Sequence, residues 1–145
     1  MSARFLLDTS TVSEPMKKTP DPALVAKLEA HAHESVLAAP VWHELLYGCR
    51  LLPTGKRREG LETYLREVVY ATMAILPYDV AAAAWHAEER ARLDKEGLPA
   101  PFVDGQIAAI AKSKDLILVT VNVRDFQRFE GLRIENWSST RKRTS

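Results

Sequence analysis

The chain holds one cysteine, Cys49, which excludes an internal disulfide framework and a cysteine zinc site and fits a reducing cytoplasm. No apolar run approaches the roughly 18 residues of a membrane span. The N-terminus carries Arg4 but lacks the long apolar core and small-residue cleavage site of a signal peptide. Charge of one sign is also missing. Twenty Lys and Arg against 19 Asp and Glu leave a formal net charge of +1, so the molecule as a whole is not a basic magnet for nucleic acid. There is no internal repeat and no low-complexity segment.

What is present suits one compact domain. The 145 residues, 46% apolar and 27% charged, are enough to bury a proper core with an ordinary soluble composition. The reading is a single domain over 1–138 and a basic C-terminal tail over 139–145. Basic residues cluster at Lys17-Lys18, Lys56-Arg57-Arg58 and Arg141-Lys142-Arg143. Each cluster is either solvated surface or a phosphate contact, and charge alone does not separate the two.

Five short strands are predicted: Arg4 to Leu7, Ser35 to Ala38, Met73 to Leu76, Leu116 to Val121, and an edge-type strand over Leu132 to Trp137. Helices fill the intervals. A short one lies within Thr11 to Lys18, broken around Pro15. Asp21 caps another that starts at Pro22 and buries Leu24, Val25 and Leu28. Pro40 opens a helix carrying Val41, Leu45, Gly48, Cys49 and Leu52 inward, and Pro53-Thr54-Gly55 ends it. The next, from about Lys56 to Val69, places Leu61, Tyr64, Leu65 and Val68 on one side. Asp79 caps an alanine-rich helix stopped by Gly97, whose outer half from Glu88 to Glu96 mixes signs as a solvent-facing helix does. Strands alternating with helices argue for a three-layer α/β/α domain around a mostly parallel sheet. Ligands in such sheets bind beyond the carboxyl ends of the strands, near a topological switch.

That rule gives the acidic residues a geometric meaning. Asp8 follows the first strand directly. Glu44 lies in the first turns of the helix after the second strand. Asp104 begins a helix whose apolar stripe is Ile107, Ala108, Ile110 and Ala111, and it shares that stripe. Asp125 follows the strand after that helix. Taken singly, each acid could be a cap, a turn residue or a surface charge. Together in one cleft they would repel and raise one another's pKa, and a hard divalent cation relieves the repulsion. All-oxygen ligands select Mg²⁺, or Mn²⁺ in its place, over zinc. Ser10, Thr120 and Asn122 lie beside the acids and can orient them or bound water. Phosphodiester hydrolysis, with one or two ions, is the chemistry that uses such a site. The histidines do not compete for it. His31 and His33 point to different faces of a helix, His43 adjoins Glu44, and His86 is expected in a surface helix. Trp42, Trp85 and Trp137 read as core or interface residues.

An ordered set of motifs carries a resemblance. Leu-Leu-Asp8-Thr-Ser10, Glu44-Leu-Leu-Tyr-Gly48, Asp104-Gly-Gln-Ile-Ala-Ala, Val-Thr120-Val-Asn122-Val-Arg-Asp125-Phe and Gly131-Leu-Arg-Ile-Glu-Asn-Trp137 occur in that order. From Phe5 to Trp137 the chain resembles PIN-domain ribonucleases, and within them the VapC toxins of type II toxin–antitoxin modules, including the FitB-like branch. The resemblance implies a Mg²⁺-dependent endoribonuclease of the cytoplasm that cuts RNA and inhibits translation when free. It also implies a cognate VapB-type antitoxin, homodimers and larger toxin–antitoxin hetero-oligomers. By match, Asp8, Asp104, Glu44 and Asp125 are the metal ligands and catalytic acids, supported by Ser10, Thr120 and Asn122. Val121 is a departure, since many relatives carry a polar or basic residue there.

Other classes fit less well. A haloacid dehalogenase-type phosphatase needs an aspartate two residues after the first, where Ser10 stands. A response-regulator receiver needs an acidic pair after the first strand and a lysine after a late strand, and neither is present. A non-catalytic PIN-like interaction module would be marked by loss of acids, and all four are here.

Overall fold

The computed structural model describes residues 2–139. The expected basic tail beyond Ser139, with Arg141, Lys142 and Arg143, lies outside them. In chain order the elements are β1 (Phe5–Leu7), α1 (Thr9–Val12), α2 (Pro22–Ala30), β2 (Ser35–Ala38), α3 (Ala39–Leu51) and α4 (Lys56–Tyr64). They continue with β3 (Ile75–Leu76), α5 (Val80–Lys95), α6 (Phe102–Ser113), β4 (Ile117–Val119), α7 (Val123–Phe126) and β5 (Ile134–Glu135). The strands form one sheet in the order β3-β2-β1-β4-β5, and every pair is parallel. This is the α/β/α sandwich that the alternation of strands and helices implied.

Phe5, Leu6 and Leu7 at the centre are buried on both sides of the sheet, as an unbroken apolar run in a covered parallel strand should be. Burying a side chain of this size stabilises the fold by about 1.5–3 kcal/mol. From β1 the chain moves outward one way to β2 and β3, then returns to lay β4 and β5 on the other side of β1. The direction of winding therefore reverses between β1 and β4. In open α/β sheets such a switch point marks the crevice beyond the carboxyl ends of the strands. Asp8 and Thr120 lie immediately past those two ends.

The caps stand where the sequence puts them. Asp21 accepts from the Ala23 N–H at 3.0 Å and Asp79 from the Ala82 N–H at 3.0 Å. Trp137 is buried against Phe5 and His31. Trp42 is half-buried beside Tyr70, and Trp85 is half-buried near Phe129.

Several expectations are corrected. α1 starts at Thr9, not Thr11, because Asp8 caps it, and Pro15 falls in a separate three-ten turn, Glu14–Met16. Past Tyr64, α4 runs on as a π-helical segment, Leu65–Tyr70. Its i→i+5 pattern inserts one residue per turn. Val69 is consequently buried, and Val68, expected inward, is 48% exposed. Gly48 faces solvent, since the inward row of α3 advances by fours through Val41, Leu45 and Cys49. The last three strands are shorter than predicted, Ile75–Leu76, Ile117–Val119 and Ile134–Glu135. His86 is not on a surface helix face; it is 3% exposed, between α5 and α6. Glu89 is buried as well, held by Arg92 at 2.6 Å and by the Glu130 N–H at 2.6 Å. Among the described residues no helix is long and apolar enough to cross a membrane.

Candidate active site

The crevice is built outward from Asp8, which is 6% exposed. Its backbone N–H donates to the Val119 carbonyl at 3.0 Å, so the end of β1 is sewn to the end of β4. One carboxylate oxygen accepts from the Thr9 N–H at 2.7 Å. The other accepts from the Thr120 hydroxyl at 2.7 Å and, more weakly, from Ser10 at 3.4 Å. Burial pushes the Asp8 carboxyl above its ordinary range; the Thr120, Thr9 and Ser10 hydrogen bonds oppose that, and the charge of Glu44 adds to it.

Thr120 is fully buried, and its position is fixed twice. It donates to Asp8 and accepts from the Asn122 N–H at 3.0 Å. Thr11 reinforces the same joint by donating to the Val119 carbonyl at 3.0 Å. The bland and the chemical readings of Asp8 therefore coincide: it caps α1 and also faces the crevice.

The other three acids come from helices. Glu44, on the exposed side of α3, accepts from the Thr9 hydroxyl at 2.8 Å. Asp104 is the third residue of α6, two after the helix start at Phe102, and is half-buried. It is not the cap, a role that falls to Pro101. Asp125 is exposed on the short helix α7. Asp104 is the acid that senses the other three. The Asp104 carboxyl is pushed up to about 6 by burial and then by the charges of Asp8, Asp125 and Glu44, with Arg128 acting the other way.

The supporting residues divide. Thr120 touches Asp8 directly and Ser10 does so at the edge of hydrogen-bond range. Ser10 also accepts from the Val121 N–H at 3.4 Å. Asn122 acts through its backbone, its side chain making no cap to α7. As they stand, the described residues include no group of three or more His, Cys, Asp or Glu side chains arranged to hold a metal ion. The donors are nonetheless all hard oxygens. Mg²⁺ is commonly bound through only one or two carboxylates with its remaining positions left to water and phosphate, so Asp8 and Asp104 are the residues that could hold one.

Sequence reasoning missed two residues here. Thr9 joins Asp8 to Glu44 through its N–H and its hydroxyl. Its place between Asp8 and Ser10 was the available signal. Arg128 gave no signal: it is brought near Asp104 by a clamp in which Arg92 donates to the Arg128 carbonyl at 3.0 Å and Arg128 donates to the Pro99 carbonyl at 2.8 Å. Of the basic clusters, Lys17 is paired with Glu14 at 3.0 Å and Arg58 with Glu62 at 3.3 Å. Lys18, Lys56 and Arg57 are exposed.

Comparison with known proteins places this geometry among others. The PIN domain family model matches residues 5–132. The chain is 31% identical to the tRNA(fMet)-specific endonuclease VapC of Shigella flexneri, covering 93% of this chain and 98% of that protein. It is 36% identical to Toxin FitB of Neisseria gonorrhoeae, over 84% of this chain and 90% of that one. Among solved structures, FitAcB from Neisseria gonorrhoeae superposes with a TM-score of 0.84 at 31% identity, covering 91% of this chain and 96% of the other. DNA-bound VapBC from Salmonella typhimurium superposes with a TM-score of 0.82 at 29% identity, covering 93% and 98%.

Proposed function

Since this chain belongs to the PIN-domain family, in the group that includes VapC and FitB, we propose that it is the toxin of a toxin–antitoxin pair and a Mg²⁺-dependent endoribonuclease. The observation that carries the reading is the buried, doubly hydrogen-bonded Asp8 carboxylate at the switch point, with Asp104 close enough that, after burial, the charges of Asp8, Asp125 and Glu44 help push its acid up to about 6. When bound, Mg²⁺ supplies the Lewis-acid charge that phosphodiester hydrolysis needs, with Mn²⁺ a substitute and either one or two ions involved. Asp8 is the fixed point of the seat. Thr9 and Thr120 hold its two oxygens in place and leave lone pairs facing the crevice. Asp104, its acid raised to about 6, would hold a cation in its ionised form, so affinity should rise with pH through about 6. Glu44 and Asp125, on the exposed rim, are poised to hold water or a second ion and to orient the scissile phosphate.

RNA is the substrate class, and cleavage inhibits translation in the cytoplasm. The name of the Shigella relative makes tRNA(fMet) the first RNA to try. The partner is a VapB-type antitoxin, with homodimers assembled into a larger complex. Support comes from the similar solved structures, which are FitAB and VapBC complexes, some bound to DNA.

The test is to map new RNA ends after incubating total RNA with purified protein and Mg²⁺, beside Asp8→Asn and a chelator control. Discrete ends that vanish in both controls are expected. Ends that persist in Asp8→Asn would contradict the reading, and no ends with any metal would favour a non-catalytic interaction module.

A further inference from the structure

α5 and α6 pack directly against each other, and at one point a side chain of α5 abuts the α6 backbone. His86 of α5 points its ring at the first turn of α6. A methyl group added to Gly105 would lie 2.1 Å from His86 Nε2, 2.7 Å from Cδ2 and 3.0 Å from Cε1. The imidazole edge thus occupies the space of the missing side chain. The same ring meets Phe102, with centroids 4.9 Å apart at 47°. Phe102 and Gly105 are three apart and share a helix face, while Asp104, one residue before Gly105, lies about 100° around the helix. Rolling or lifting this turn on His86 therefore moves the Asp104 carboxylate.

The spacer is itself braced. On its far edge, His86 Nδ1 lies 2.8 Å from the Tyr78 hydroxyl, and Tyr78 sits two residues past β3. At the other end of α6, Lys114 reaches back to Asp79, the cap of α5, at 2.8 Å. These ties hold α6 along α5 together with Arg90 of α5, whose guanidinium lies 5.1 Å over the Phe102 ring; the one beside Gly105 is a buried, hydrogen-bonded ring against a glycine. Burial also favours the neutral form of His86, so the ring makes this contact without a charge of its own.

We propose that His86, braced by Tyr78 and seated on Gly105, is a positioning residue that sets where the Asp104 carboxylate stands in the crevice. It touches neither substrate nor ion. The inference rests on the metal-dependent reading above and adds to it a support layer outside the crevice itself.

Mn²⁺ binding to the metal-free protein, measured by calorimetry, tests it together with the metal-free melting temperature and the Mg²⁺ dependence of RNA cleavage. Gly105→Ala should weaken Mn²⁺ binding about tenfold or more, as loss of a ligand-orienting contact does, and raise the half-saturating Mg²⁺ concentration. Tyr78→Phe, which removes one hydroxyl and keeps the ring, should shift both in the same direction by less, at an almost unchanged melting temperature. Adding His86→Ala to Gly105→Ala frees the space the methyl needs and should restore much of the affinity. If Gly105→Ala fails to fold, Tyr78→Phe and the double variant decide. Wild-type Mn²⁺ affinity in folded Gly105→Ala and Tyr78→Phe, or a change in melting temperature alone, would overturn the proposal. Wild-type protein that binds no Mn²⁺ would instead sink the metal-dependent reading, and this inference with it.

Discussion

The floor of the crevice and its rim are made differently. At the floor, Asp8 and Thr120 are buried, tied to each other at 2.7 Å and anchored through backbone bonds between β1 and β4. At the rim, Glu44 and Asp125 ride on exposed helix faces, and Glu44 has a single hydroxyl partner, Thr9. Asp104 lies between, half-buried, its acid raised by burial and by the charges of Asp8, Asp125 and Glu44. The contrast teaches that a cluster of acids need not be uniformly rigid. Strand ends fix one carboxylate to within a bond's tolerance, while helix-borne acids keep freedom to adapt to an ion, a water or a phosphate.

The sharpest way to break the comparison is to remove the charge at each level. Asp8→Asn should lower RNA cleavage by more than about a hundredfold, beyond what outer partners typically cost, whereas Glu44→Gln should cost about tenfold. Measured side by side at saturating Mg²⁺, equal losses would erase the distinction between floor and rim.

Thr120→Val probes the floor without touching a charge. It strips Asp8 of its 2.7 Å donor and leaves the Asn122 N–H without its acceptor. Chemical denaturation should show a loss of roughly 1–3 kcal/mol, the usual cost of orphaning a buried polar group. A rim substitution such as Glu44→Gln should stay within about 0.5 kcal/mol.

The smallest effect is the stability of the metal-free protein with and without Asp104. Its carboxyl titrates at about 6 in the fold against 3.8 ordinarily, so the folded state holds the proton more tightly than the unfolded chain. An acid raised in this way costs stability once ionised: nothing below pH about 4, increasingly as pH rises towards 6, and fully above it. Asp104→Asn should therefore stabilise the metal-free protein above pH 6 by about 1 kcal/mol, after allowance for solvent screening of a half-exposed group. The advantage should close as pH falls below 4. Thermal melts across that range check it, and an advantage independent of pH would argue against carboxylate repulsion as its cause.

Much of this was legible in the sequence because local chemistry agreed with the fold. Phe5-Leu6-Leu7 reads as a buried parallel strand, and Asp21 and Asp79 read as caps; the structure has all three. The ordered motifs pointed to the PIN family, which the family match over residues 5–132 supports. What escaped depends on contacts between distant residues. His86 stands just before the mixed-charge half of α5, and its burial depends on Gly105, nineteen residues on, whose missing side chain leaves room for its ring. Arg128 reaches Asp104's surroundings through the Glu89–Arg92 clamp, which in sequence is an ordinary surface pair. The exchange of Val68 for Val69 as the inward residue follows from a π-helical turn that no 3.6-residue period anticipates.

The central claim, that these carboxylates form one divalent-cation site anchored by Asp8, is tested most directly by titrating the metal-free protein with Mn²⁺ in a calorimeter between pH 5 and pH 7.5. Binding should tighten as pH rises through about 6, level off above it, and disappear in Asp8→Asn. Binding that is flat with pH and equal in wild type and Asp8→Asn would contradict the claim.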